Sequence, residues 1–110
     1  MGNIVSWLGY EFQSFPRNVE WNCVPAVYIF TGLDASGQWR PLYVGRTAAL
    51  AARLATHPRW SEAERLGGTH VHVAVVPEEM TQQALEKELI AEYQPPLNVQ
   101  HRLRTFADLS

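Results

Sequence analysis

The sequence predicts an α+β domain in which a three-stranded antiparallel sheet is flanked by helices. Two observations carry this. Two strand-like runs, Ala26 to Leu33 and Gln38 to Val44, are separated only by the turn formers Asp34-Ala35-Ser36-Gly37, so they pair as an antiparallel hairpin. A third strand-like run, Thr69 to Val76, lies between segments of helical character, which gives the order β-β-α-α-β-α.

Each element has a local reason. Residues 1 to 24 hold no sustained periodicity and, with Phe15, Pro16 and Trp21 among them, read as a leader packed on or beside the core. Pro41 cannot donate to a ladder, which puts the second strand at a sheet edge. Thr47 is placed to cap a helix from Ala48 to about His57, whose alanines and leucines favour helicity, and Pro58 breaks it. Trp60 to Leu66 reads as a short helix ended by Gly67-Gly68. The third strand sets Val71, Val73 and Val75 on one face and His70 and His72 on the other. No neighbouring pair completes a zinc pattern, so the two histidines read as satisfied or exposed. Thr81 to Tyr93 forms the last helix, capped at Thr81 and stopped before Pro95-Pro96, and residues 100 to 110 form a tail.

At 110 residues and 46% hydrophobic, the chain has enough apolar material for one core and too little for two. The single Cys23 excludes an internal disulfide and a thiolate cluster, making a reducing, cytoplasmic location the expectation. The longest mostly apolar run, Val24 to Phe30, is far below the roughly 20 residues of a membrane span, and neither a signal peptide nor a membrane partner is expected. A formal net charge of -2 argues against a grip on nucleic acid by the whole surface. The charge is uneven, however: Arg40, Arg46, Arg53, Arg59 and Arg65 outweigh Glu62 and Glu64 mid-chain, whereas five glutamates from Glu78 to Glu92 oppose Lys87 alone. Arg46 and Arg53 are therefore expected to form a local positive patch from which Glu78, Glu79, Glu88 and Glu92 are displaced, with Arg59 an ordinary surface residue.

The last helix carries the most informative spacing. At about 100° per residue, Leu85, Leu89, Ile90 and Tyr93 define one apolar arc, and Glu86 falls inside it while Glu88 and Glu92 fall outside. A carboxylate facing inward needs a cation, either a metal ion or an arginine. On the first helix, Arg53 and His57 stand at i and i+4 beside the buried stripe of Leu50 and Leu54, so both reach one site. The guanidinium suits bidentate contact with phosphate, and the imidazole suits proton exchange near neutral pH or orientation of a water. Tyr28 and Tyr43 lie on adjacent strands.

With these residues in view, the chain resembles the GIY-YIG nuclease family over about residues 25 to 99. The paired strand motifs stand as Ala26-Val27-Tyr28 and Tyr43-Val44-Gly45, with Ala26 in place of the usual glycine. Arg53 follows Gly45 by eight residues, His57 stands where some members have histidine, and Leu85-Glu86-Lys87-Glu88-Leu89-Ile90, Tyr93, Pro95-Pro96 and Leu97-Asn98 match the segment holding the family's glutamate and asparagine. The resemblance implies a hydrolase: a metal-dependent endonuclease that cuts phosphodiester bonds to leave a 5′-phosphate and a 3′-hydroxyl. Glu86 would bind one Mg²⁺ or Mn²⁺, Tyr28 or Tyr43 would activate water with help from His57, Arg53 and Arg46 would hold the phosphate, and Gly45 and Asn98 would organise the site. DNA is the implied partner, structured or branched DNA included, with RNA as an alternative. An alanine at 26 is expected to be harmless if the residue is extended.

No Walker loop, dinucleotide fingerprint or nucleophile elbow competes with this reading. A different class does: a catalytically weak or inactive nucleic-acid-binding or protein-interaction module on the same scaffold, which the acidic balance favours.

Overall fold

The computed structural model describes residues 3 to 98; the expected tail, 100 to 110, lies outside them. Five strands and three helices follow in the order β1 (Asn3–Trp7), β2 (Tyr10–Pro16), β3 (Ala26–Leu33), β4 (Trp39–Thr47), α1 (Leu50–Ala55), α2 (Trp60–Arg65), β5 (His70–Val75) and α3 (Glu79–Tyr93). The sheet is antiparallel throughout and runs β1-β2-β5-β3-β4. The expected three-stranded sheet is thus corrected to five. Its three strands are the β5-β3-β4 portion, and the stretch read as a leader supplies the other two.

The missed hairpin has a physical explanation. Trp7 pairs with Tyr10 across Leu8 and Gly9, both at positive φ (54° and 82°), which is a two-residue turn of the primed kind. Such turns usually announce themselves with Asn-Gly or Asp-Gly, and a leucine at positive φ gives no such signal. Much of β1 and β2 also faces solvent, so the apolar alternation is faint. What ties the hairpin down is long-range. The Trp7 indole Nε1–H donates to His72 Nδ1 at 3.0 Å, and the Leu8 N–H donates to the Tyr93 hydroxyl at 3.3 Å.

That indole bond settles the His72 tautomer. Nδ1 is an acceptor, so Nε2 carries the proton and points it at Thr31 Oγ1, 3.3 Å away. Burial, then the neighbouring His70, pushes His72 down to about 4, keeping it neutral. The valine face expected on β5 is only partly realised: Val71 and Val73 are buried, Val75 is 60% exposed, and His72 on the opposite face is fully buried.

β3 is an interior strand with apolar residues on both faces. Ala26, Tyr28 and Phe30 pack with Leu42, Leu50, Leu54, Ala63 and Leu97 beneath α1 and α2, while Val27 and Ile29 pack with Val44, Leu85 and Leu89 beneath α3. β4 is the edge strand, as Pro41 requires, and a bulge between Phe30 and Thr31 in the β3–β4 register absorbs Leu42. The hairpin turn is fixed by Asp34, whose Oδ1 accepts from the backbone N–H groups of Ser36 and Gln38 at 2.9 and 3.0 Å.

The helix ends differ from expectation. α1 begins at Leu50, not Ala48, because the Thr47 hydroxyl takes the Ala49 N–H at 3.0 Å in a turn ahead of the helix. α3 begins at Glu79, before Thr81, and ends at Tyr93, capped by Gln94 in the left-handed conformation (φ 43°) ahead of Pro95. Among the described residues, no helix is long and apolar enough to cross a membrane.

Candidate functional site

The site lies where β3, β4 and the end of α1 meet. Tyr28 points from β3 toward its partner Gly45 on β4, and a Cβ on Gly45 would collide with the Tyr28 phenol. The glycine is therefore required by close approach: it lets the ring lie across the edge strand. Asn98 fixes that strand from outside. Its Oδ1 accepts the Val44 N–H at 2.9 Å and its Nδ2 donates to the Val44 carbonyl at 3.1 Å, holding the peptide between Tyr43 and Gly45. Ala26 is buried inside β3 and is not among the residues at positive φ, so the alanine fits an extended backbone.

His57 closes the arrangement beyond the C-terminus of α1. Its Nε2 lies 2.7 Å from the Tyr28 hydroxyl, and its Nδ1 accepts the backbone N–H of Arg59 at 3.0 Å. An amide N–H leaves no choice of direction, so Nδ1 is bare and the Nε2–H donates to Tyr28. The Tyr28 hydroxyl is thereby free to donate its own proton outward. Tyr28, Phe30 and Tyr43 surround the imidazole, with ring centroids 5.5, 4.7 and 5.2 Å away. Burial, together with the charges of Arg53, Arg17 and Arg59, pushes His57 down to about 4. Burial and these charges disfavour the protonated imidazole, and in this arrangement His57 acts as a neutral Nε2–H donor to Tyr28.

Burial pushes the Tyr28 phenol up to about 12, against the downward pull of a hydrogen-bonding contact with Arg53. Burial also raises Tyr43, again opposed chiefly by Arg53. Arg53 is itself exposed, and its guanidinium is held above its ordinary value, chiefly by hydrogen bonding to Tyr28. It pairs with no carboxylate among the described residues.

Glu86 faces inward as the helical spacing requires, half-buried, while Glu88 and Glu92 are exposed. Burial raises its carboxyl and the nearby Arg46 charge opposes the rise. Arg46 Nε lies 3.4 Å from Glu86 Oε1, and Arg46 Nη1 lies 3.9 Å from Glu79 Oε1. Glu79 is therefore not displaced from the arginine patch, contrary to expectation, and the two ends of the implied chemistry, phosphate grip and metal ligand, neutralise each other.

A resident divalent ion finds few donors here. Among the described residues, no three His, Cys, Asp or Glu side chains gather where they could hold a metal ion. Both nitrogens of His57 are committed, leaving one carboxylate that already faces a guanidinium. Mg²⁺ is ordinarily held by one or two carboxylates with water and substrate phosphates; Glu86 would be the carboxylate here, with Arg46 competing for it.

Three participants escaped sequence reasoning. Arg17, from the aperiodic stretch after β2, donates from Nη2 to the Leu54 carbonyl at 2.6 Å and lies 5.1 Å over the Trp60 ring, bracing the end of α1. Arg59, expected on the open surface, instead bonds Glu62 at 2.7 Å and lines the same cleft as Arg53. Leu97 forms part of that cleft's apolar wall. The i,i+3 spacing of Arg59 and Glu62 was a legible signal; Arg17 had none.

Compared with protein-family models, curated proteins and solved structures, the chain matches none.

Proposed function

We propose that this chain is a nucleic-acid-binding domain that takes a phosphodiester at Arg53, between the hydroxyls of Tyr28 and Tyr43, with weak or no turnover of its own. The carrying observation is the charge arrangement: Arg53 is exposed and without a carboxylate partner among the described residues, whereas Arg46 is matched by Glu86. A guanidinium flanked by two phenolic donors suits a phosphate, which accepts hydrogen bonds and carries charge. The resemblance of the Tyr28, Tyr43, Arg53, His57 and Glu86 positions to those of GIY-YIG nucleases supports the same ligand.

The second reading, a metal-dependent DNA endonuclease, is favoured by one specific observation, the 2.7 Å Tyr28–His57 bond with its proton on Nε2. That bond would stabilise negative charge on the Tyr28 oxygen, the ionised form in which a tyrosine takes a proton from an attacking water. Against it stands a phenol at about 12, of which about one in 10⁵ is ionised at pH 7. The readings separate in one assay of duplex, single-stranded and branched DNA and of RNA, with and without Mg²⁺ or Mn²⁺. Salt-sensitive binding without metal-dependent scission is the expected result. Strand scission that disappears on metal removal and in Glu86→Gln would establish the enzyme instead.

A further inference from the structure

A cleft of about 370 Å³ opens beside Arg53 and Tyr43 and is lined also by residues that the proposed phosphate contact does not involve. Arg53 and Tyr43 line it and belong to the site as well; Pro58, Ile90 and Leu97 supply apolar walls, and Arg59 adds a second guanidinium. From this we infer that the cleft receives the base of an unpaired nucleotide next to the bound phosphate, which makes the preferred ligand a nucleic acid with a bulged, terminal or branch-point nucleotide. The inference rests on the phosphodiester reading above.

Size, chemistry and continuity all point to that occupant. The volume lies within the range of pockets that enclose small organic molecules. Bases are flat and apolar on their faces, and they stack on aromatic rings and guanidinium planes, both of which Tyr43 and Arg53 supply. A base inside a duplex is held in the stack and reaches such a recess only when it is unpaired or extruded. Because Tyr43 and Arg53 belong to both compartments, the base entering the recess must be attached at, or one nucleotide from, the phosphate that Arg53 holds.

The polar groups of the cleft also set its selectivity. Both halves of the Asn98 amide are taken by Val44, and the Arg59 guanidinium is bonded to Glu62. These bonds hold both side chains against the protein, so the recess takes bases chiefly by stacking.

Three short DNA duplexes in metal-free buffer provide the test: one fully paired, one with a single bulged nucleotide, and one with an abasic residue at that bulge. Affinities are read by fluorescence anisotropy. The base-bearing bulge should bind about tenfold more tightly than the abasic bulge, the scale of one base stacked on an aromatic side chain. Ile90→Trp, which fills the recess from a residue outside the phosphate site, should erase that difference while leaving abasic binding intact. Equal affinity of wild-type protein for the base-bearing and abasic bulges overturns the inference yet leaves phosphodiester binding standing, and needs no variant to observe. Failure of all three duplexes to bind overturns the phosphodiester reading and this inference with it.

Discussion

Arg46 Nε and Glu86 Oε1 lie 3.4 Å apart, bringing the cation of β4 and the inward carboxylate of α3 into one ion pair. Both side chains remain about one-third exposed, so water and salt weaken the pair. A contact of that kind is exchangeable: phosphate competes for the arginine, and a cation competes for the carboxylate.

Glu86→Gln should accordingly release Arg46 and tighten nucleic-acid binding about two- to fivefold, the scale of a partly exposed ion pair. Glu88→Gln, on an exposed position of the same helix, should change affinity much less. Titration of labelled DNA at constant ionic strength makes the comparison, and equal gains in the two variants would contradict the pairing.

Tyr28→Phe removes the acceptor of the His57 Nε2–H inside a ring of aromatic side chains. An unsatisfied buried donor costs about 1 to 3 kcal/mol, and urea denaturation should show a loss of that order. Tyr43→Phe removes no such partner and should cost less. Gly45→Ala should match or exceed Tyr28→Phe, because its methyl group displaces the same phenol.

Stability should fall with acid in a defined window. His57 and His72 are each pushed from 6.5 down to about 4, chiefly by burial. Between those values the unfolded chain binds protons that the folded chain excludes, so the contribution is complete above about pH 6.5 and is lost as the pH falls toward 4. Denaturation midpoints measured across this range should decline. Imidazole resonances of both residues that titrate at the ordinary value would refute their assigned burial.

Arg17→Ala should raise the His57 pKa, since the Arg17 charge is one of the three that hold it down. It should also loosen the end of α1 by freeing the Leu54 carbonyl and uncovering Trp60. Titration of His57 by NMR reads the first effect, and hydrogen exchange over α1 reads the second. An unshifted His57 would separate Arg17 from the site.

Much of this was written locally in the chain. β3 carries β-branched and aromatic residues on both faces and was bounded by turn formers, so its limits, Ala26 to Leu33, followed directly. The inward orientation of Glu86 followed from helical spacing, and the edge position of β4 from Pro41. What escaped depends on tertiary contact. The β1–β2 hairpin is held by Trp7, His72 and Tyr93, which are far apart in sequence, and its turn uses an uncharacteristic leucine. The capture of Arg46 by Glu86 and the role of Arg17 depend on how a strand, a helix and a loop stand in space, which no local period records. The neutrality of His57 required knowing that three rings enclose it.

Asn98 has a second consequence beyond the site. An edge strand offers a row of open peptide groups to which another chain can add, and proteins commonly block such rows. By occupying both the N–H and the carbonyl of Val44, the side-chain amide stands in for a neighbouring peptide, and Pro41 removes a donor further along the same strand. The residue that steadies the Tyr43 strand thus also acts as a plug against strand addition, so a chain lacking it would expose a templating edge beside the candidate site.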